Sequence, residues 1–387
     1  MNVLMIRYFW LMKKFASLLL LFILFSSCKS TRLGETDNVQ LRFLDDHIIV
    51  GDLEVDGTLV GGLSGIDYHD GEYYLVVDHP GQPRLYKATI DIRGERIHDI
   101  DITQAIFIDT KDPGLKDMHL DMEGIIYHPV HRFFYISSEG LISDGKNPAI
   151  FIVSQDGKFR EHFEIPENHL AGSSAGPRNN GSFEGLSFSH DGKGIWAGME
   201  LPLTADGPTP KLYPTKSPVR ITYFDHRTKQ PTKQFTYMLG RVRKFPWLYF
   251  AINGLTDMVE YAPDRFLVLE RAFSAGNGRK GNRIRIYDVD ATGATNTLDR
   301  DGLKFNFHNP ATKELVYDFK WAKKYLEEGI IDNVEGIALG PILPSGNPSV
   351  ILVADNNFNS MGKQYNQFIL MELEIKAELN EGTPEEE

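Results

Sequence analysis

Short runs of alternating apolar and polar residues, separated by turn residues, follow one another along most of the chain and predict β-strands. One phrase recurs at the start of such runs: an apolar residue, a small or acidic residue, glycine and an aliphatic residue. Five copies occur, the fourth of them degenerate: Leu63-Ser64-Gly65-Ile66, Met122-Glu123-Gly124-Ile125, Phe183-Glu184-Gly185-Leu186, Leu255-Thr256-Asp257-Met258 and Val334-Glu335-Gly336-Ile337. Successive copies are 59, 61, 72 and 79 residues apart, which indicates a repeat architecture.

Each copy is followed by a turn and by a second strand that ends on an acid. These acids are Asp78, Glu139, Glu200, Glu270 and Asp355. A third strand follows in every unit, at Arg84–Ile90, Ala149–Ser154, Val219–Phe224, Arg283–Val289 and Phe368–Ile375. A fourth strand is recognisable in most units. Repeated four-stranded units of this length predict an all-β fold, a single β-propeller.

The ends of the chain suggest how the propeller closes. The last unit has three strands and a spare strand, Val39–Val50, precedes the first unit, so we expect the spare strand to complete the last blade and hide its edge. Five blades are predicted, and the long connections 201–217 and 290–333 leave room for a sixth. A helical pattern over Phe319–Glu328 predicts a decoration on a loop. Two stacked β-sandwiches are the alternative fold.

The first residues have the pattern of an export signal. Lys13 and Lys14 precede the apolar run Phe15–Phe25, which is too short to span a bilayer, and small residues then lead to Cys28. This pattern is similar to a bacterial lipoprotein signal, in which the cysteine carries the lipid. Ordinary secretion with an incidental cysteine, or a buried thiol, are the alternatives. Translation could start at Met1 or at Met12.

We therefore divide the chain into four parts. A signal peptide covers residues 1–27, a polar linker residues 28–38, the propeller residues 39–376 and an acidic disordered tail residues 377–387. We expect an exported lipoprotein, periplasmic or anchored in the outer membrane, which touches the membrane through its lipid alone and is a monomer.

Composition excludes several classes of function. The 387 residues are 42% hydrophobic with a net charge of -12, which disfavours nucleic-acid binding because that needs a basic surface. A single cysteine excludes an intrachain disulfide and a cysteine-rich zinc site. Gly276–Gly281 matches Gly-x-Gly-x-x-Gly, but a strand follows it instead of a helix, so we predict a basic hairpin loop and no dinucleotide site.

The acids of the repeat should converge. In a hairpin the start of the first strand lies beside the end of the second, and in a propeller those ends surround the channel mouth. We predict a cation site there, with the candidate metal ligands Asp78, Glu123, Glu139, Glu184, Glu200, Glu335 and Asp355. Carboxylate oxygens suit Ca²⁺, whereas Mg²⁺ demands a tighter geometry and zinc prefers nitrogen and sulfur. Alternatively, these acids accept hydrogen bonds from backbone amides.

Arginines near the same ends could bind an anionic group. Arg271 directly follows Glu270, so their side chains should point to opposite faces of the strand. Arg84 and Arg178 also lie near predicted blade ends, and for each of the three a salt bridge to a neighbouring acid is the simpler explanation.

The blade phrases, together with Ser138-Glu139-Gly140, Leu269-Glu270-Arg271 and Asp355-Asn356-Asn357-Phe358, resemble the phytase-like family, also described by an esterase-like activity of phytase. The resemblance runs from about residue 62 to about residue 375. It implies a bacterial surface or secreted propeller, and kinship to calcium-dependent propeller phytases would imply phosphoester hydrolysis with acids that hold Ca²⁺. Ser64 and Thr256 replace the acid in two copies, so the acidic ring is incomplete.

Two functions follow as hypotheses. The first is a metal-dependent hydrolase of phosphoesters or related esters, acting on a small anionic or ester substrate, with Glu184, Glu335, Glu270 and Arg271 as candidate catalytic residues. The second is a propeller that binds a ligand at its mouth without catalysis and whose cation is structural, because propellers serve many unrelated functions.

Overall fold

The regular structure of the chain consists almost entirely of β-strands. The computed structural model describes residues 32–49, 51–360 and 362–376. The predicted signal peptide, Cys28 and the acidic tail lie outside these residues. Within them, no helix is long and apolar enough to cross a membrane.

Four short or early strands precede the first repeat. Strand β1 (Leu33–Glu35) pairs with β2 (Val39–Ile49), and a small hairpin follows, formed by β3 (Glu54–Val55) and β4 (Thr58–Leu59). Part of the segment expected to be a linker, residues 28–38, is therefore built into the sheet.

The next sixteen strands form four consecutive antiparallel blades of four strands each. Blade 1 contains β5 (Leu63–His69), β6 (Glu72–Val77), β7 (Arg84–Arg93) and β8 (Arg96–Phe107). Blade 2 contains β9 (Met122–His128), β10 (Phe133–Ser138), β11 (Ala149–Ser154) and β12 (Phe159–His162). Blade 3 contains β13 (Phe183–Phe188), β14 (Gly194–Met199), β15 (Pro218–Asp225) and β16 (Pro231–Met238). Blade 4 contains β17 (Ala251–Ala262), β18 (Arg265–Ser274), β19 (Asn282–Asp290) and β20 (Thr312–Asp318).

Blade 5 joins the two ends of the described chain. Its strands β21 (Asn333–Ile342), β22 (Pro348–Asp355) and β23 (Asn366–Ile375) are completed by β2, with β1 at the outer edge. Val39 pairs with Ile375 and Ile49 with Asn366, so the expected closure by the N-terminal strand is confirmed. Pairing of the first and last strands leaves no open edge between the termini.

The first strands of the five blades form a ring. Each of β5, β9, β13, β17 and β21 contacts the first strand of the next blade, and β21 returns to β5. Four clusters of buried apolar side chains fill the spaces between neighbouring blades. The fold is a five-bladed β-propeller whose core lies between the sheets, as the repeat predicts.

The five predicted blades are confirmed, and one detail of the prediction, a helix, is wrong. A sixth blade is absent from the described residues, because the connection 201–217 forms no strand and 290–333 contributes only β20 to blade 4. The predicted helix over Phe319–Glu328 shrinks to the 3₁₀ turn Phe319–Trp321. The Glu327 amide donates to Asp46 Oδ1 and not to a preceding carbonyl, so Glu327 makes no α-helical hydrogen bond through its amide. The other 3₁₀ turns are Ile142–Asp144, Glu167–His169, Gly278–Lys280 and Asn357–Asn359.

A β-bulge recurs at the same place in all five blades. The pairing of the first two strands shifts by one residue at the phrase position before the glycine, so that two residues oppose one. The positions concerned are Ser64, Glu123, Glu184, Thr256 and Glu335. A bulge turns a side chain away from the regular alternation of the strand, and the five bulges form one level around the channel.

The phrase glycines allow neighbouring first strands to approach. A Cβ on Gly65 would lie 2.5 Å from the Glu123 carbonyl oxygen, and one on Gly124 would lie 2.6 Å from that of Glu184. A Cβ on Gly185 would lie 2.6 Å from Asp257 Cα, and one on Gly336 would lie 3.0 Å from Gly65 Cα. In the degenerate fourth copy, Asp257 bridges to blade 5 by accepting a 2.8 Å hydrogen bond from the Ile337 amide.

Replacing Gly124 with alanine should destabilise the propeller, because the new Cβ would also lie 2.6 Å from Ser137 Oγ. Overpacking of this kind costs about 1–3 kcal/mol in the free energy of unfolding. Gly293→Ala is the matched control, since a Cβ there would have no heavy atom within 4 Å. Chemical denaturation measures both variants. Equal free energies of unfolding for the two variants would mean that the first strands can move apart to accommodate a Cβ at position 124, and would contradict the prediction.

Candidate functional site

Eight carboxylates gather at one end of the channel, and we call this cluster the acidic mouth. Three come from bulges on first strands: Glu123, Glu184 and Glu335. Four end the second strands or follow them directly: Asp78, Glu139, Glu200 and Asp355. Asp121, one residue before β9, is the eighth. The seven predicted metal candidates are all in this cluster.

Two groups of three acids in the mouth have the spacing of a cation site. The carboxylate oxygens of Asp78, Asp121 and Glu123 lie within 4.8 Å of one another, and so do those of Glu123, Glu139 and Glu184. Glu123 belongs to both groups. Sequence reasoning missed Asp121, which lies two residues before Glu123 and just outside β9.

Glu200, Glu335 and Asp355 lie outside both groups and border them. The Arg271 guanidinium approaches Glu335 Oε1 to 3.2 Å and Glu200 Oε1 to 3.7 Å. Asn333 Nδ2 donates to Glu335 Oε1 at 2.8 Å. Arg271 Nε is buried and has no hydrogen-bond partner among the described residues.

Glu270 is directed away from the mouth. Its carboxylate accepts hydrogen bonds from Tyr237 at 2.7 Å and Asn253 at 2.8 Å and pairs with Lys313 at 2.5 Å. Glu270 and Arg271 thus point to opposite faces of β18. Although burial opposes ionisation of Glu270, Lys313 and Arg285 hold its pKa below the usual range. Glu270 is fully engaged inside blade 4 and joins blades 3 and 4.

The other predicted arginines also bind within the protein. Arg84 is buried and donates to Tyr86 Oη at 2.8 Å and to the carbonyls of Gln82 and Leu59. Arg178 donates to the carbonyls of Pro202 and Gly207. These two arginines anchor loops at the mouth end of the propeller, and Arg271 alone of the three lies among the mouth acids.

Crowding of the acids favours their protonated forms. Burial, followed by the hydrogen bond that protonated Asp78 donates to Asp121 and by repulsion from other carboxylates, raises the pKa of Asp78 to about 9. Burial and Glu335 raise the pKa of Asp355 to about 8. Burial raises the pKa of Glu200 to about 7, although Arg271 opposes this change. Ionising the whole set requires compensating positive charge.

The three acids of the second group are affected most. Burial and mutual repulsion hold the pKa values of Glu123, Glu139 and Glu184 well above their ordinary range. Glu139 still accepts a 2.6 Å hydrogen bond from the Ser182 amide. For Glu123 and Glu184 burial and repulsion from neighbouring acids dominate, and that arrangement suits a cation or protons better than a set of structural hydrogen bonds.

Comparison with protein families assigns the chain. The phytase-like family, described by an esterase-like activity of phytase, matches residues 58–358. The chain belongs to this family. The match contains four complete blades and the first two strands of the fifth, and thus all eight acids of the mouth.

The chain is also similar, at low identity, to several solved structures. An endo-1,4-β-xylanase from Bacteroides thetaiotaomicron is 11% identical with a TM-score of 0.42, covering 80% of this chain and 90% of its own. A GH43 β-1,3-galactosidase is 10% identical with a TM-score of 0.43, covering 85% and 96%. An exo-1,5-α-L-arabinanase from a bovine ruminal metagenomic library is 10% identical with a TM-score of 0.41, covering 84% and 97%. No curated protein matches significantly.

The raised pKa values predict a pH-dependent stability in chelator. The folded chain holds protons on mouth acids that the unfolded chain releases near pH 4, so the free energy of unfolding falls as pH rises from about 4 to about 9. Added Ca²⁺ should therefore raise the melting temperature more at pH 8 than at pH 5.

Glu184→Gln should flatten this pH dependence and reduce the gain from Ca²⁺, because one buried acid is removed. The exposed Glu314 gives the matched control, Glu314→Gln, which should behave as the parent protein. Thermal melts in chelator and in Ca²⁺ measure both. A Glu184→Gln curve superimposable on that of the parent would contradict the assignment.

Proposed function

We propose that this protein is a divalent-cation-dependent hydrolase of phosphoesters or related esters. The observation that carries the proposal is the two sets of three acids that share Glu123, which lie beside Arg271 with its unpaired Nε. Membership of a family described by an esterase-like activity of phytase supports the same class of reaction.

The donor set fits a hard cation. Asp78, Asp121, Glu123, Glu139 and Glu184 would hold it, since they offer only oxygen, and Ca²⁺ accepts six to eight such ligands in an adaptable geometry. A bound cation would polarise a substrate oxygen and acidify a water molecule. Its charge would also permit the ionisation that crowding in the mouth now opposes.

Arg271 is suited to orient an anionic substrate. Its terminal nitrogen already contacts Glu335 and Glu200, which fixes the guanidinium plane, while its Nε is left over. Arginine binds phosphoryl and carboxylate oxygens through paired N–H donors. We therefore place the substrate's anionic group between Arg271 and the two sets of three acids.

Glu200 is suited to accept a proton from the attacking water. It lies outside both carboxylate groups, so its oxygens are not committed to a cation, and its pKa of about 7 is close to that of an efficient base at neutral pH. Glu270 has no part in this proposal, because its carboxylate is fully engaged with Lys313 and Tyr237.

Turnover should depend on Ca²⁺ and on Glu200. With residues 32–387 and a panel containing phytate, aryl phosphates and aryl carboxylic esters, we expect product in Ca²⁺ and none in chelator. Glu200→Gln should lower kcat by about 10²–10⁴-fold with little change in the calcium requirement, whereas Glu314→Gln should leave both unchanged.

Separate outcomes distinguish the alternatives. Calorimetric binding of Ca²⁺ and of a phosphate ester without turnover would overturn the hydrolase and favour a ligand-binding propeller with a structural cation. Turnover of carboxylic esters alone would exclude the phosphoester substrate and retain the hydrolase.

We also infer that the protein is exported and anchored through a lipid on Cys28, on the basis of the apolar run Phe15–Phe25 and the small residues before the cysteine. In cells of a bacterial host, Cys28→Ala should prevent acylation, as mass spectrometry of the amino terminus would show. An unmodified Cys28 in the parent protein would overturn this inference.

A further inference from the structure

Three neighbouring loops at the mouth end of blades 3 and 4 carry an unusual group of exposed apolar side chains. The loops are residues 208–217 after β14, 240–250 after β16 and 275–281 after β18. We call the surface that they form the aromatic–basic surface. Trp247 and Leu248 are each 69% exposed, Tyr213 65% and Tyr249 97%. Phe245 and Phe250 are exposed as well. Singly scattered apolar residues are normal on a protein surface, but a contiguous group of this size indicates a binding surface.

The surface is held in shape by hydrogen bonds between its loops. The Val242 amide donates to the Lys211 carbonyl at 2.9 Å, and the Ala275 amide donates to the Phe250 carbonyl at 2.9 Å. Asn277 Nδ2 donates to the Phe245 carbonyl at 3.0 Å. Glycine at position 276 lets the loop 275–281 lie close to the loop 240–250, since a Cβ on Gly276 would lie 2.8 Å from the Trp247 Cβ. The aromatic rings are thus presented by an ordered scaffold.

The same loops are strongly basic in an acidic protein. The three segments contain seven cationic residues and no acidic one, although the chain has a net charge of -12: Lys211, Lys216, Arg241, Arg243, Lys244, Arg279 and Lys280. Among the ion pairs of the described residues, only Arg279 of these seven takes part, at 3.8 Å from Glu328. The charges are therefore available to an anionic partner.

We propose that the aromatic–basic surface docks on a lipid bilayer with anionic headgroups. Tryptophan and tyrosine favour the boundary between headgroups and acyl chains, where an apolar ring with a polar edge is satisfied on both sides. Lysine and arginine beside them bind anionic lipids. This contact comes from the folded body and adds to the lipid anchor expected from the sequence.

Other occupants fit the surface less well. A second copy of the chain would set seven cations against seven cations, which opposes a symmetric dimer. A flexible nucleic acid that followed these loops would meet the eight carboxylates of the mouth at the same end of the propeller. A bilayer can contact the protruding loops without entering the mouth.

The test measures binding to vesicles without the predicted lipid anchor. All strands that build the propeller lie within residues 33–375, in one compact unit, so the fragment 32–387 retains the whole fold. It is sedimented with vesicles of pure phosphatidylcholine and with vesicles that contain 30% phosphatidylglycerol, at low and high salt. We expect binding to the anionic vesicles, weakened by salt, and a blue shift of tryptophan fluorescence from Trp247.

Exposed positions allow matched variants that keep the fold. Trp247→Ala combined with Tyr249→Ala should weaken binding at least about tenfold through the lost apolar contact. Arg243→Ala combined with Lys280→Ala should weaken it by about fivefold per cation. The control combines Val130→Ala and Ile342→Ala, which are 79% and 66% exposed at the opposite end of the propeller, and should bind as the parent does.

Three results would overturn the proposal. The first is no binding to anionic vesicles by a fragment with an unchanged melting temperature. The second is binding that the aromatic and basic variants leave intact. The third is self-association, or binding of an oligonucleotide, that the same variants abolish while vesicles are ignored. None of these results depends on hydrolytic activity, so failure of the proposed function would leave this proposal standing.

Discussion

The close approach of five first strands around one axis governs the rest of this structure. Glycine occupies four of the five contacts, and at three of them, Gly65, Gly124 and Gly185, a Cβ would collide with the backbone of the next blade. The chain passes this narrow level with an extra residue in every blade, and the resulting bulge turns the preceding side chain out of the regular strand alternation. Packing and the placement of the mouth acids therefore have a single geometric cause.

A consequence of this geometry is that negative charge accumulates where solvent is scarce. Blades 2, 3 and 5 contribute an acid at the bulge, and every blade except blade 4 contributes one at the end of its second strand, so acids from neighbouring blades meet whether or not they attract one another. Burial and repulsion then make protons or cations the necessary partners, as the raised pKa values of Glu123 and Glu184 indicate. Arg271 compensates only part of this charge, because it contacts Glu200 and Glu335 at one side of the cluster.

The repeat made most of the fold predictable from the sequence, since each phrase marks the point where neighbouring blades touch. It also predicted seven mouth acids, because strand ends and bulges recur in register. Glu270 shares the repeat position, but Lys313 and Tyr237 draw its carboxylate into blade 4, and a repeat carries no information about such partners. Asp121 was missed because it lies before the phrase. The helix predicted over Phe319–Glu328 failed because tertiary partners such as Asp46 take its amides.

The propeller also explains why the acidic mouth and the aromatic–basic surface lie at the same end. Strands alternate in direction, so the loop after every second strand and the loop between blades both emerge beside the bulges. Loops at this end are unconstrained by the core, which allows blades 3 and 4 to carry long insertions without disturbing the acids below them. If the aromatic–basic surface binds a bilayer, it would hold the acidic mouth next to the lipid headgroups. Because the loops are basic and the mouth is acidic, anionic headgroups would stay on the loops and away from the carboxylates.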